Sequence, residues 1–208
     1  MKTYSENIKD SFKICREHSR LTLSVAVLFL ASILFLKSFS LLGGFLTALF
    51  CVLSLSFLSS VNLSQDIGII SFLKGLKLQL DFTRVTLALV TTPAFIFMDS
   101  AGDIYLSKIA GAIPSLLAHF SIVWFAVFVL VITYSPVGIG TYPLSSIKDF
   151  EFALKQGAKH WRSLLTYSLL YTVLVIMGLL PFGLGLILVL PLLLFSLSRA
   201  YKGFRTAF

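Results

Sequence analysis

Charged residues are scarce in this sequence. Of its 208 residues only 12% are charged and 57% are apolar, and the mean hydropathy is +0.95. Soluble domains carry about 25% charged residues, so the composition excludes a soluble enzyme, a disordered chain and a nucleic-acid-binding module. We therefore predict an all-α integral membrane protein, with residues 1–208 forming a single membrane domain.

Cysteine pairs and catalytic signatures are also missing. The two cysteines, Cys15 and Cys51, form no CxxC or Cys/His spacing, so neither a disulfide framework nor a zinc site is indicated. The sequence has no H-E-x-x-H, G-x-S-x-G or Walker motif, and its apolar runs hold essentially no carboxylates. These absences argue against a metal-dependent lipid phosphotransferase and against most cation-coupled carriers. We expect no catalytic residues, no metal site and no cofactor.

Long apolar runs are what the sequence does contain, at residues 21–36, 39–61, 85–98, 112–134, 164–180 and 182–198. A helix needs about 20 apolar residues to cross a bilayer, within a range of roughly 17–25. The third run is short, and it reaches this length only if Arg84 snorkels and if Phe82 and Thr83 belong to the span. We predict six transmembrane helices arranged as three hairpins. The alternative is five spans, or a re-entrant third segment.

The excess of basic residues predicts the orientation. Lys and Arg number 17, against 9 Asp and Glu. With six spans, 15 of the 17 basic residues fall on one side of the membrane, and only Lys37 and Lys108 fall on the other. Because cytoplasmic segments carry the excess of Lys and Arg, we expect both termini to lie in the cytoplasm.

Basic residues recur at helical spacing in three segments. The sets are Lys9, Lys13, Arg16 and Arg20; Lys74, Lys77 and Arg84, with the acidic Asp81 at the same spacing between the last two; and Lys155, Lys159 and Arg162. Spacings of three and four residues place each set on one face of a helix, with apolar residues between them. This pattern is typical of an amphipathic helix at the membrane interface. The ten basic side chains are therefore our candidate contacts to lipid headgroups, and a specific lipid or a cytoplasmic partner is the alternative ligand.

A repeated unit follows from the order of these segments. Each basic helix is followed by a pair of apolar runs, which predicts three repeats at residues 1–61, 66–134 and 147–208. At constant offset, Phe12-Lys13 with His18 and Arg20 superposes on Leu154-Lys155 with His160 and Arg162. Leu73-Lys74 falls in the same register, but there the match to His and Arg fails, because Gln79 and Asp81 stand at those positions. The alternative explanation is that any juxtamembrane segment is basic and any amphipathic helix alternates its faces.

Three residues within the apolar runs are candidates for a transport role. His119 is ionisable, which suggests a proton or ligand function, and Pro93 and Pro191 interrupt helices in a way that can expose carbonyls to a transport site. The structural alternatives are an interhelical hydrogen bond and ordinary kinks. A lipid enzyme would need His119 to act with Asp99 or Asp103.

Small hydroxyl residues are concentrated in the second run, at Ser54, Ser56, Ser59 and Ser60. In membrane proteins such residues allow close packing of helices, and their hydroxyls can bridge neighbouring helices. We therefore predict a packing role for this run.

The C-terminal third resembles a recurrent bacterial pattern. It consists of Phe152-Ala153-Leu154-Lys155, then Trp161-Arg162, a hairpin, Pro191, and Ala200-Tyr201-Lys202-Gly203-Phe204. This pattern resembles the YciC-like inner-membrane families, which are similar to the membrane domain of some glycerophosphodiester phosphodiesterases. The resemblance implies a six-helix protein of the bacterial inner (cytoplasmic) membrane, and it supplies no catalytic residues.

Together these features predict a multi-pass, non-enzymatic inner-membrane protein with a scaffold, assembly or envelope-maintenance role. Its expected partners are membrane lipids, together with a membrane protein or a second copy of the chain, and no nucleic acid. The alternative is a small transporter, export permease or channel.

Overall fold

The computed structural model describes residues 4–61, 67–107, 113–139, 147–179 and 185–206, and all regular structure within these ranges is α-helical. The helices of these ranges are α1 (Tyr4–Glu17), α2 (Ser19–Ser38), α3 (Ser40–Ser60), α4 (Ile69–Leu78), α5 (Phe82–Ser107), α6 (Ile113–Ile139), α7 (Ile147–Lys159), α8 (Trp161–Leu179) and α9 (Leu186–Thr206). The all-α prediction is therefore confirmed.

Several of these helices are suited to cross a membrane. By length and composition α2, α3, α8 and α9 qualify, and α4 with α5 forms a pair, bent by 98°, that counts as a fifth candidate. The described apolar part of α6, Phe120–Ser135, is shorter. A multi-pass membrane protein is confirmed, while six spans in three hairpins stay a prediction.

Each basic set is divided between two helices. Arg20 lies on α2, Arg84 on α5 and Arg162 on α8, whereas the preceding basic residues of the three sets lie on α1, α4 and α7. The prediction that each set occupies one face of one helix is therefore wrong for its last member. A helix in the interface and a helix across the bilayer run in different directions, so the chain must turn between them. The turns fall at His18, at 79–81 and at His160.

The helices of the three predicted units pack in the same relation. Within each unit the two long helices are adjacent: α2 with α3, α5 with α6 and α8 with α9. The first long helix of each unit also contacts the last helix of the unit before it, so that α5 packs on α3, α8 on α6 and, closing the circle, α2 on α9. The basic helices follow the same rule, since α4 contacts α3, α7 contacts α6 and α1 contacts α9. Finally α3, α6 and α9 contact one another.

Close packing fixes α4 against α3. Phe72 of α4 is fully buried, and its ring meets the rings of Phe57 and Phe50 edge-on, at centroid distances of 5.5 and 6.4 Å. A Cβ on Gly75 would lie 2.1 Å from the ring of Phe57, so glycine is required where the two helices approach. The short basic helix α4 is therefore part of the packed core.

Candidate functional site

Nine of the ten basic candidates are exposed. They are Lys9, Lys13, Arg16, Arg20, Lys74, Lys77, Lys155, Lys159 and Arg162, and we call them the basic surface. Each of the three units contributes to this surface, from its short amphipathic helix and, in the first and third units, also from the first turn of the helix that follows. These side chains are therefore placed where a headgroup or another anion can reach them.

Large apolar side chains are exposed beside the basic ones. Phe12 on α1 is 65% exposed, Ile70 on α4 is 67% exposed and Phe152 on α7 is 59% exposed. Contact with water is unfavourable for such side chains, whereas burial in the acyl boundary of a bilayer is favourable. The mixture of basic and apolar exposed residues on α1, α4 and α7 is what an interfacial helix requires.

Local pairs moderate the charge of this surface. Lys13 lies 3.6 Å from Glu17, and Lys155 lies 2.6 Å from Glu151. The hydrogen bond from Lys155 lowers the pKa of the Glu151 carboxyl, and the positive charge lowers it further. Because both pairs are exposed to solvent, they contribute little to stability, and a phosphate can compete with the carboxylate for each lysine.

An aromatic residue accompanies the third basic segment. The guanidinium carbon of Arg162 lies 5.5 Å from the centroid of the Trp161 ring, and Trp161 is half-exposed. Tryptophan is enriched at membrane–water interfaces, and the ring attracts the cation above it. The start of α8 therefore has the chemistry of a membrane boundary.

Arg84 is the exception among the ten candidates, and its expected role is wrong. Its side chain is 1% exposed, so it neither snorkels nor contacts a headgroup. Its Nη1 pairs with the Asp81 carboxylate, and its Nε donates a 3.0 Å hydrogen bond to Ser56 Oγ. The Ser56 hydroxyl donates in turn to Gln79 Oε1 at 2.6 Å. The physical reason is the 98° bend between α4 and α5, which turns the start of α5 into the protein.

Asp81 has two roles in this buried polar network, which we define as Ser56, Gln79, Asp81 and Arg84. Its Oδ1 accepts a 2.7 Å hydrogen bond from the backbone N–H of Arg84, three residues later, as an N-cap residue does. Its Oδ2 pairs with the Arg84 guanidinium. The network thereby joins α3 to the turn between α4 and α5. The signal in the sequence is an acid three residues before an arginine at a helix start, whereas the spacing of three and four residues predicts a surface stripe.

Further buried hydrogen bonds join other helices. Tyr171 Oη donates to Ser196 Oγ at 3.0 Å, and Asn7 Nδ2 donates to Tyr167 Oη at 2.8 Å. Tyr201 Oη donates to the backbone carbonyl of a residue in α6. The predicted bridging by serine hydroxyls of the second run is confirmed at Ser56. Ser59 and Ser60 instead donate to carbonyls of their own helix.

Two of the three transport candidates, Pro93 and Pro191, lie among the described side chains. Pro93 is exposed on α5 and lines an apolar groove of about 470 Å³ between α3 and α5, and Pro191 is buried in α9. The side chains of His119 and Asp103 lie outside the described residues, and Asp99 is half-buried. Among the side chains that the structure describes, no three of His, Cys, Asp and Glu form a group that could hold a metal ion.

Comparison with family models, with curated proteins and with solved structures finds no match to this chain. The resemblance to the YciC-like families therefore stays a prediction.

Proposed function

We propose that this chain is a non-enzymatic, six-span protein of the bacterial inner membrane with a scaffold, assembly or envelope-maintenance role. Both termini lie in the cytoplasm, and α1, α4 and α7 lie in the cytoplasmic interface, where they contact anionic lipid headgroups. The observation that carries the proposal is the side-by-side exposure of basic and large apolar side chains on all three helices. Each of these helices also packs on a long helix of the bundle.

Helix length and packing support six spans. The helices α5 and α6 have 26 and 27 residues, which at 1.5 Å per residue is about 39 and 40 Å. The hydrocarbon core of a bilayer is about 30 Å thick, so both helices are long enough. They also occupy the same positions in the cyclic arrangement as α2 with α3 and α8 with α9, all four of which are apolar enough to span.

The charge of the basic surface gives the lipid contact its strength. A basic side chain near an anionic leaflet contributes about 1 kcal/mol, so three helices acting together hold the bundle at a fixed depth and orientation. At 0.1 M salt this attraction is largely screened at distances beyond about 10 Å. Burial of the exposed apolar side chains in the acyl boundary also favours the membrane-bound position, and this contribution is insensitive to salt.

Side-chain contacts between residues that are distant in sequence support a structural role. Asp10 on α1 pairs with Arg199 on α9 at 3.3 Å, and Asn7 on the same face reaches Tyr167 on α8. The first and last predicted units are thereby joined by side chains as well as by packing. A closed ring of helices of this kind can hold partner proteins at a fixed spacing, and crosslinking in the native membrane followed by mass spectrometry identifies them.

Charge reversal in the third unit tests the headgroup contact. We expect Lys155→Glu, Lys159→Glu and Arg162→Glu together to reduce the anionic lipid retained on purification, because three attractive charges become repulsive. Lys37→Glu, on the predicted opposite side, is the control and should leave retention unchanged. If the triple variant inserts and retains anionic lipid as the native protein does, the headgroup role is refuted.

A second candidate, a small transporter, is favoured by three buried polar side chains. Ser54 Oγ, Ser135 Oγ and Gln156 Oε1 are buried without a hydrogen-bond partner among the described residues, and such burial is costly unless the group serves a function or binds water. Ser135→Ala with Gln156→Leu separates the two candidates. A scaffold should become more stable and keep its role in a deletion strain. A transporter should fold and lose complementation.

A further inference from the structure

A surface groove of about 440 Å³ lies between α2 and the start of α4. One wall is formed by Leu23 and Val27 of α2 and the other by Ile69 and Ile70 of α4, and Arg20 also lines the groove. Ligand-binding clefts typically measure about 300–1,000 Å³, so the volume suits one small molecule or one chain of a lipid.

The apolar walls of the groove face outwards. Leu23 is 62% exposed, Val27 is 51% exposed and Ile70 is 67% exposed. Arg20, Leu23 and Val27 follow one another at spacings of three and four, so they form a line along one face of α2. With a rise of 1.5 Å per residue, Leu23 and Val27 lie about 4.5 and 10.5 Å along the helix from Arg20. A cation at the helix start is thus followed by an apolar track that runs into the bilayer.

The groove has a basic residue at one end. Arg20 is exposed at the start of α2, and a guanidinium can bind a phosphate in a bidentate manner. The cationic end of the groove matches the phosphate of an anionic phospholipid, and the apolar track matches one of its acyl chains.

We propose that this groove is a binding site for one anionic phospholipid. Its phosphate contacts Arg20, and one acyl chain lies along Leu23 and Val27 against Ile69 and Ile70. The assignment rests on the proposed membrane placement, which puts the start of α2 at the level of the cytoplasmic headgroups. It goes further in naming a single site with a defined stoichiometry.

The groove at Pro93 provides an internal comparison. It has a similar volume, about 470 Å³, and apolar walls that include Leu41, Phe45 and Ile96, and none of the described side chains that line it is charged. Charge complementarity to a phosphate therefore distinguishes the groove at Arg20. Leu41 is 75% exposed, so a bulky substitution there is a matched control for one at Leu23.

The test is native mass spectrometry of the whole chain, taken from vesicles of phosphatidylcholine with phosphatidylglycerol as the probe. We expect the native protein and Leu41→Trp to carry one more tightly held phosphatidylglycerol than Leu23→Trp and Val27→Trp. Leu23→Trp and Val27→Trp should lose it, because an indole fills the track. Arg20→Gln should bind it about fivefold more weakly, the loss expected for one basic contact.

Three results would overturn the site. Equal retention by Leu23→Trp and Leu41→Trp would show that the groove holds no lipid. Equal retention of phosphatidylglycerol and phosphatidylcholine would remove the role of Arg20. Loss of a dimer, without loss of lipid, in Leu23→Trp would identify a second copy of the chain as the occupant.

The test of this groove can fail independently of the charge-reversal test of the proposed function. Charge reversal on α7 and α8 is remote in sequence from this groove and tests the general headgroup contact. If that variant keeps its lipid while Arg20→Gln loses one, the general role fails and the site remains. If the reverse holds, the site fails and the general role remains.

Discussion

Replacing Asp81 by Asn should destabilise the protein more than replacing Arg84 by Met. Arg84 is 1% exposed, whereas Asp81 is 31% exposed. Asn keeps the N-cap hydrogen bond to the backbone of α5 but leaves a buried guanidinium without its carboxylate. Removal of one partner from a buried pair costs about 3–5 kcal/mol. Arg84→Met removes the buried charge, and water can reach Asp81, so the loss is about 1–2 kcal/mol of hydrogen bonding.

The assay uses the buried cysteine of α3. In a Cys15→Ser background, a thiol-reactive dye labels Cys51, which is 6% exposed, only when the protein unfolds. We expect the midpoint of thermal unfolding in detergent to fall furthest for Asp81→Asn. The double variant with Arg84→Met should lie close to Arg84→Met alone, since the two residues act as a unit. If Asp81→Asn lowers the unfolding midpoint no more than Arg84→Met does, groups other than Asp81 stabilise the charge of Arg84, and the account of the buried network is wrong.

Two further predictions follow from burial. Gly75→Ala should cost about 1–3 kcal/mol in the same unfolding assay, because its Cβ would overlap the ring of Phe57. Gly203→Ala, with nothing within 4 Å of its Cβ, should be neutral or slightly stabilising, and a similar loss in both variants would contradict the packing argument. Burial raises the pKa of the Cys15 thiol from 9.0 to about 11. At pH 8 its thiolate fraction should therefore be about 100-fold below that of an unburied thiol with a pKa of 9.0. Since a more basic thiolate is also more nucleophilic, alkylation should be about tenfold slower than in the unfolded chain. Equal alkylation rates would show that Cys15 is not buried.

The periodicity of basic and apolar residues predicted the amphipathic segments but not where their helices end. At His18 and at His160 the spacing of three and four residues continues across the turn, so the side-chain pattern does not reveal the change of direction. The turns nevertheless fall at equivalent positions of the predicted units. Sequence offset and cyclic packing are separate observations, and three repeats of one unit stay a prediction.

The role of Arg84 could not be predicted from charge alone. The positive-inside argument treats every Lys and Arg near a span as a residue that seeks headgroups. Whether a basic side chain reaches the headgroups depends on the direction of its helix and on polar partners distant in sequence. For Arg84 such a partner is Ser56, which is 28 residues away. The closeness of Gly75 to Phe57 is likewise a tertiary contact without a local signal.

The central claim is that α1, α4 and α7 lie on one face of the membrane, the cytoplasmic face. Single cysteines at Lys13, Lys77 and Lys159, in a chain with Cys15→Ser and Cys51→Ala, test it with a membrane-impermeant maleimide. We predict that all three react in inverted vesicles and none in spheroplasts. Labelling of any one of the three in spheroplasts would place a basic helix on the outer face and contradict the account.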